Sequence, residues 1–250
     1  NSCSNLHMAR RPNFVRKKKR KVHGSAFWDK EYTNPEFLKL SEKESQDLAK
    51  FIRWVIRRER HDLLQPNESV IDAGCGNGRN LIYLAHEHDM KGVGVDISAA
   101  AISQAKAASK GLNISYYVGT AANPLPAEDE TQALALDMMT SHFLNHEERI
   151  KLRDEIFRVL KPGGHLFMKT FLKDADLHTK RLIEEFPGKE EGSYIHPIMG
   201  VAEYVYSEEE LVAFLRAKFI VRRVYRSRKP GSQGGARERG TISICAEKDY

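Results

Sequence analysis

The sequence VIDAGCGNGRN, residues 70–80, carries an apolar run into three glycines that alternate with other residues. The apolar run predicts a buried strand, and the glycines predict a tight turn that opens a helix. Gly74, Gly76 and Gly78 have no Cβ atom, so they allow positive φ and let a ligand come close to the backbone. Open α/β sheets bind ligands at the carboxyl end of their first strand. A tight turn that binds nothing is the alternative.

The spacing of these glycines argues against two common nucleotide sites. A dinucleotide fingerprint would place its third glycine at position 79, where this chain has Arg79. The Gly-Lys-Ser/Thr of a P-loop is also missing from the turn. The ligand of this turn is therefore expected to be neither a dinucleotide nor a nucleoside triphosphate.

A second strand, predicted over residues 92–96, ends in an acid 18 residues after Gly78. An ionised carboxylate at that strand end can accept hydrogen bonds from both ribose hydroxyls of a nucleoside. The alternative for Asp96 is a cap on the following helix, but Ser98 is available for that role. Together with the glycine turn, Asp96 indicates a nucleoside site.

Strands and helices alternate along most of the chain. Helices are predicted over residues 79–88, 98–110, 146–160, 179–186 and 207–218, and one helical stretch over 25–61. Strands are predicted over residues 69–73, 92–96, 114–118, 133–138, 165–171, 220–226 and 241–247. This alternation implies an α/β fold with a doubly wound, mostly parallel sheet of seven strands, an antiparallel last strand and helices on both faces.

The glycine motif at residues 72–78 and Asp96 resemble the class I methyltransferases, as do VLKPGGHLFM at 159–168 and YSEEEL at 206–211. The resemblance covers roughly residues 25–248 and implies a Rossmann-like fold with S-adenosylmethionine as cofactor. By this resemblance ten residues near the motif and two strand ends are expected to bind the cofactor with Asp96: Asp72, Gly74, Cys75, Gly76, Asn77, Gly78, Asn80, Ile97, Asp137 and Met138.

Two further segments resemble particular groups within the class I methyltransferases. FWDKEY at 27–32 and GNGRNLIYLA at 76–85 are similar to the tellurite-resistance and thiopurine-type methyltransferases. That likeness places Trp28 and Tyr32 on an N-terminal helix over the methyl donor, although both can equally be packing residues. Many family members have an acid for the adenine amino group where this chain has Thr120. The Thr120 hydroxyl and the Ala121 backbone N–H are expected to replace it.

The fourth strand ends in DMMTSH, residues 137–142, close to the expected position of the sulfonium. It lacks the Asn-Pro-Pro-aromatic signature of enzymes that methylate base amino groups. His142 and His146 are the candidate general bases if the acceptor must lose a proton. A capping or surface role is the alternative for both. No metal-ligand cluster is visible, so no metal is predicted.

Positive charge is concentrated near the N-terminus. Residues 10–21 hold eight of the 40 Lys and Arg and none of the 34 Asp and Glu. Residues 1–24 are expected to form a flexible basic arm, whose first residues before Met8 can be vector-derived. The arm can bind RNA or another polyanion, aid solubility, or, through residues 16–22, act as a nuclear-localisation signal.

Two features bear on where the protein works. Three scattered cysteines form neither a disulfide framework nor a zinc site, which favours a reducing compartment. No apolar run has the roughly 20 residues that span a bilayer. A cytoplasmic location without membrane contact is therefore expected, or a nuclear one if the source is eukaryotic.

The preferred hypothesis is a methyltransferase that acts on a small molecule by in-line displacement. Its pocket would be capped by an N-terminal helical segment, residues 25–64, and closed by a lid, residues 172–206. An RNA or protein methyltransferase that uses the arm to hold its polymer is the second hypothesis. A domain that binds the donor without turnover is the third. The acceptor and the oligomeric state stay open at this point.

Overall fold

The fold was analysed in a computed structural model that describes residues 24–58, 60–173, 177–227 and 239–249. The predicted basic arm, residues 1–24, lies outside these ranges except for Gly24, which begins a helix. Within these ranges no helix is long and apolar enough to cross a membrane.

Seven α-helices and nine strands make up the described chain. The helices are α1 (Gly24–Thr33), α2 (Gln46–Arg57), α3 (Arg79–His88), α4 (Ala99–Ala108), α5 (His146–Val159), α6 (Leu177–Glu185) and α7 (Glu208–Arg216). The strands are β1 (Ser69–Ala73), β2 (Lys91–Asp96), β3 (Ile114–Val118), β4 (Gln132–Met138), β5 (Leu160–Phe171), β6 (Ser193–Ile195), β7 (Ala202–Tyr204), β8 (Ile220–Ser227) and β9 (Thr241–Glu247). Two 3-10 helices, His61–Leu64 and Ser141–Phe143, complete the set.

Seven strands form one twisted sheet in the order β3-β2-β1-β4-β5-β9-β8. β1 to β5 pair in parallel, and β9 lies antiparallel between β5 and β8. The strand order reverses between β1 and β4, and such a switch point leaves a crevice at the carboxyl ends of the strands. The predicted α/β fold, with its doubly wound sheet and antiparallel last strand, is confirmed.

The core lies in two layers, one on each face of the sheet. Successive strand residues point to opposite faces, so Val70 packs under α2, α3 and α4 whereas Ile71 packs under α5 and α7. On the first face the rings of Phe51 and Phe167 stack with centroids 4.6 Å apart. Because both faces are covered, the central strands read as continuous apolar runs.

The N-terminal segment differs from the single helical stretch predicted over residues 25–61. Helix α1 ends at Thr33, and residues 34–45 cross to α2 without regular structure. Pro35 disfavours helical backbone at the residue before it, which ends α1. The buried carboxylate of Glu31 then accepts hydrogen bonds from the backbone N–H groups of Phe37 and Leu38, at 2.8 and 3.0 Å. The crossing is thus fixed by a side chain that the apolar periodicity does not reveal.

The region between β5 and α7 also contains more structure than the sequence predicts. A hairpin of β6 and β7 lies where only a loop is expected, and Tyr194 on one strand donates a hydrogen bond to Glu203 on the other at 2.6 Å. Tyr194 packs with Leu182 of α6 and Val205 in a small apolar cluster of its own. Strands of three residues carry too short a pattern to be recognised by periodicity.

Candidate active site

A cavity of about 550 Å³ opens at the carboxyl ends of β1, β2, β4 and β5, with α1 above it. Its walls include residues that follow each of these strands, such as Gly74, Asp96, Met138 and Phe171. Parallel strands bring their carboxyl ends to one edge, which explains why sequence-distant residues meet here. Nine of the residues predicted to bind the cofactor or act as a base line the cavity: Trp28, Tyr32, Gly74, Asp96, Ile97, Thr120, Ala121, Met138 and His142.

Asp96 holds the glycine turn against the start of α4. One carboxylate oxygen accepts the backbone N–H of Gly76 and the other accepts that of Ser98, each at 2.8 Å. Burial raises the pKa of this carboxyl, and the two N–H donors act in the opposite direction. Ser98, and not Asp96, is the N-cap of α4, because its hydroxyl accepts the N–H of Ala101 at 3.1 Å. Each Asp96 oxygen keeps a lone pair for a further donor.

The space beside the glycine turn is filled largely by protein. A Cβ atom on Gly74 would lie 1.9 Å from the Thr140 hydroxyl, and one on Gly76 would lie 2.3 Å from the Tyr32 hydroxyl. Both glycines have positive φ, at 81° and 57°. The sequence predicts that a ligand occupies the space left by the missing Cβ atoms. The structure shows that Thr140 and Tyr32 make the close approach at these two positions.

The end of the cavity next to β2 and β3 has residues that could contact the ring of a nucleobase. Ile97, Thr120 and Ala121 follow β2 and β3 and line this end together. The Thr120 hydroxyl accepts the N–H of Ala122 at 3.2 Å, which leaves its proton free to donate. The resemblance to class I methyltransferases led us to expect an acid at this position, where the chain has a hydroxyl that can donate and accept.

Helix α1 is fastened over the cavity by polar contacts with α4. The Asp29 carboxylate accepts the Ser98 hydroxyl at 2.7 Å and the Ala100 N–H at 3.1 Å, so it sits at the positive end of α4. The Ala100 N–H is the main cause of the lowered pKa of Asp29. On the underside, Trp28 meets Phe143 edge to face with centroids 4.7 Å apart. The aromatic residues of FWDKEY thus face the cavity.

Two predicted cofactor residues lie below the cavity. Asp137 is buried, and one of its oxygens accepts the N–H groups of Thr140 and Ser141 at 3.2 and 3.1 Å. Asp72 is also buried, and neither of its oxygens has a hydrogen-bond partner in the described part of the chain. Burial raises the pKa of Asp72 to about 7; the neighbouring Asn80 side chain acts to lower the pKa, and the Asp137 and Asp96 carboxylates act to raise it.

The remaining residues of the glycine motif support the turn from behind. Asn77 donates its amide N–H to the Ser41 carbonyl, and the Asn80 amide oxygen accepts the Ser45 N–H, each at 3.0 Å. These contacts join the turn to the segment that leads into α2. Cys75 and Gly78 complete the turn, and neither they nor the two asparagines line the cavity. Their predicted contacts with a cofactor stay predictions.

The two candidate bases are placed very differently. His142 is buried in the cavity wall, and neither of its ring nitrogens has a hydrogen-bond partner among the described residues. Burial lowers the pKa of His142 to about 4, so the ring is neutral at pH 7. His146 begins α5 outside the cavity, where its backbone N–H donates to Glu190 at 2.9 Å. His142 is therefore placed where it could contact an acceptor in the cavity, whereas His146 is not.

Sequence reasoning missed a polar group at the inner end of the cavity. Glu203 and Arg239 line this end and form an ion pair at 2.6 Å, with Phe171 beside them. No local sequence motif predicts these two residues, because Glu203 lies on a three-residue strand and Arg239 lies two residues before β9. The described residues contain no group of three His, Cys, Asp or Glu side chains that could hold a metal ion.

Comparison with known proteins agrees with this geometry. A family described as a methyltransferase domain matches residues 70–164, the stretch from β1 to the start of β5. The fold is similar to that of an S-adenosylmethionine-dependent methyltransferase from Methanosarcina mazei, with a TM-score of 0.65, 27% identity and coverage of 76% of this chain and 96% of that one. The chain contains a methyltransferase domain over residues 70–164, and its fold is that of the class I S-adenosylmethionine-dependent methyltransferases.

Two relatives of the chain carry different activities in their names. The chain is 35% identical to the carboxy-S-adenosyl-L-methionine synthase of Campylobacter jejuni over 127 residues, 49% of this chain and 52% of that protein. It is 30% identical to the tRNA (carboxymethyluridine(34)-5-O)-methyltransferase of Arabidopsis thaliana over 150 residues, 56% of this chain and 35% of that protein. The chain thus spans about half of the first relative and a third of the second. The family match confirms the predicted cofactor, S-adenosylmethionine, and leaves the acceptor unspecified.

Replacement of Asp96 tests the nucleoside end of this methyltransferase site. In Asp96→Asn one oxygen becomes an NH₂ group, which cannot accept a ribose hydroxyl and faces a backbone N–H. We expect the Kd for S-adenosylhomocysteine to rise about tenfold or more in isothermal titration calorimetry. The exposed Asp129→Asn serves as the control and should bind as the parent does. Equal affinity of both variants would mean that the nucleoside binds elsewhere.

The contact between Gly76 and Tyr32 is open to a double-mutant cycle. Gly76→Ala should destabilise the fold, because the new Cβ atom meets the Tyr32 hydroxyl and the backbone has positive φ. In a Tyr32→Phe background the same substitution should cost less, since the hydroxyl is gone. Free energies of unfolding in urea give the coupling.

Gly111→Ala supplies the control for backbone strain alone, because Gly111 has φ of 86° and no atom within 4 Å of an added Cβ. The cost of Gly76→Ala in the Tyr32→Phe background should approach the cost at Gly111. An unchanged cost in the presence and absence of the hydroxyl would show that Tyr32 does not pack against the turn.

Proposed function

We propose that this protein transfers the methyl group of S-adenosylmethionine to a small-molecule acceptor that enters the cavity beneath α1. The observation that carries the proposal is the partly covered, mostly apolar space between Asp96 and the aromatic residues of α1. Ligand pockets for small molecules are apolar clefts of a few hundred cubic ångströms or more with a few placed polar groups. The cavity volume of about 550 Å³ falls in that range.

The residues of the cavity fit the donor along its length. Asp96 is the ribose acceptor, and Thr120 with Ala121 is placed for the adenine edge. When bound, S-adenosylmethionine supplies a methyl group on a sulfonium. The S–CH₃ bond breaks, its electron pair stays on the sulfur, and the acceptor nucleophile forms the new bond to carbon. Gly74 and Met138, at the ends of β1 and β4, lie where the amino-acid part would pass toward the acceptor.

The chain's contribution to such a reaction is alignment and exclusion of water. A sulfonium is already a good leaving group, so most of the benefit comes from holding the nucleophile in line with the S–CH₃ bond. Phe27, Trp28 and Phe143 form an apolar cover over the acceptor end. Helix α1 can keep this cover closed because Asp29 fastens it to α4.

The choice of acceptor is limited by the weak basicity of His142. A neutral imidazole whose pKa is about 4 accepts a proton from an alcohol or an ammonium group only at a large energetic cost. An acceptor atom that is nucleophilic at neutral pH without losing a proton does not need that proton transfer. We therefore expect the acceptor to react through such an atom, with His142 as a hydrogen-bonding partner.

A polymer acceptor is the second candidate function. The eight basic residues at 10–21 favour it, because they can attract phosphates through counterion release. One base or side chain of the polymer would then have to reach beneath α1.

The state of the cysteines bears on the compartment. Cys75 and Cys245, the two cysteines in the described part of the chain, are buried and form no disulfide, which favours action in the cytoplasm or another reducing compartment.

Methyl transfer from radiolabelled S-adenosylmethionine to a fractionated cell extract distinguishes the two candidates. The full chain and a version without residues 1–23 are compared, with Asp96→Asn as the inactive control. We expect label in the small-molecule fraction with both chains. Label in RNA or protein that disappears with the arm would contradict the proposal and favour the polymer. Binding of the donor without any transfer would contradict both.

A further inference from the structure

The inner end of the cavity contains an arginine held from two sides. Nη1 of Arg239 donates to Oε2 of Glu203 at 2.6 Å, and its guanidinium carbon lies 3.4 Å from the centroid of the Phe171 ring. The Arg239 side chain is 13% exposed and that of Glu203 is 1% exposed. Stacking on the ring and pairing at one nitrogen fix the plane of the guanidinium.

The other edge of this guanidinium is unsatisfied. Nε and Nη2 of Arg239 are buried, and within the described ranges neither has a hydrogen-bond partner. Both atoms are shielded from solvent, so bulk water does not replace the missing acceptor. Leaving charged donors buried without acceptors is costly, and native proteins seldom do so without a functional reason.

Glu203 cannot turn to satisfy this edge. The oxygen that accepts from Arg239 also accepts the Tyr194 hydroxyl at 2.6 Å across the hairpin. Burial works to raise the pKa of Glu203, but the Arg239 charge and the hydrogen bonds from Tyr194 and Arg239 together hold the pKa below its usual range. Glu203 therefore stays ionised and acts as a fixed anchor for one nitrogen of Arg239.

The free edge has a definite complement. Nε–H and Nη2–H of a guanidinium point the same way and match the two oxygens of a carboxylate as a bidentate pair. The surrounding wall is apolar, with Phe143, Phe171 and Met199, and it also holds the unpartnered ring of His142. A ligand that suits this end has an apolar body and a planar anionic group.

We propose that Arg239 recognises a carboxylate on the methyl acceptor, so that the substrates of this enzyme are small apolar carboxylic acids. The carboxylate binds Nε and Nη2 side-on, and the apolar body lies against Phe171 and Phe143. Arg239 lines the cavity, and because Nε and Nη2 are buried, ligand binding requires its side-chain torsions to change so that the free edge faces the ligand. The acid group serves as the binding handle, which leaves another atom of the acceptor to receive the methyl group. This inference rests on the proposed small-molecule function.

The test compares acids with their neutral amides on protein saturated with S-adenosylhomocysteine. Phenylacetate and 3-phenylpropanoate are titrated against phenylacetamide and 3-phenylpropanamide, with binding followed by ligand-observed NMR. We expect each acid to bind about tenfold or more tightly than its amide. Equal affinities of acid and amide would overturn the proposal.

Variants assign the preference to Arg239. Arg239→Met would leave the buried Glu203 unpaired, so the matched variant is Glu203→Gln with Arg239→Met, which keeps an acceptor for the Tyr194 hydroxyl. It should bind acids and amides equally, while Glu203→Gln alone keeps the preference for acids. A preference that survives the double variant would contradict the assignment.

Affinity for S-adenosylhomocysteine separates the two proposals. Arg239 lies at the acceptor end, so the double variant should bind S-adenosylhomocysteine as the parent does. Loss of the acid preference with intact binding of S-adenosylhomocysteine supports the acceptor site. If the parent protein itself fails to bind S-adenosylhomocysteine, the proposed function fails first, whatever the acids do.

Discussion

The site depends on one buried carboxylate, that of Asp96. Its two oxygens accept N–H groups from the glycine turn after β1 and from the start of α4 after β2. Two adjacent strands are thereby joined at their carboxyl ends by a charged acceptor in a poorly hydrated place, where each hydrogen bond is stronger than in water. Asp96 also lines the cavity. The group that would receive the ribose is therefore the one that fixes the geometry of the turn beneath it.

The rest of the cavity is built outward from this junction. Ser98 donates its backbone N–H to Asp96 and its hydroxyl to Asp29, and the second bond brings α1 over the cavity. Tyr32, on the same helix, closes onto Gly76 of the turn. The aromatic cover and the glycine turn are thus two sides of one assembly. A change at the turn is expected to loosen the cover, and a change in α1 is expected to reach the turn.

The sequence predicts the nucleoside half of the site much better than the acceptor half. Gly74, Asp96 and Thr120 follow strands with clear periodicity, so their meeting at one edge follows from the parallel sheet. Arg239 and Glu203 depend on a three-residue hairpin strand and on the antiparallel packing of β9, and both are set by tertiary contacts. The close approach of Tyr32 to Gly76 also arises from helix docking, which apolar spacing alone does not specify.

A crystal structure with bound S-adenosylhomocysteine tests this account most directly. We expect both ribose hydroxyls within hydrogen-bond distance of the Asp96 carboxylate, while its contacts with Gly76 and Ser98 persist. The adenine should lie against Ile97, with Thr120 or Ala121 at its edge. A nucleoside bound away from Asp96, or a carboxylate that releases the turn in order to bind ribose, would contradict the claim that one group serves both purposes.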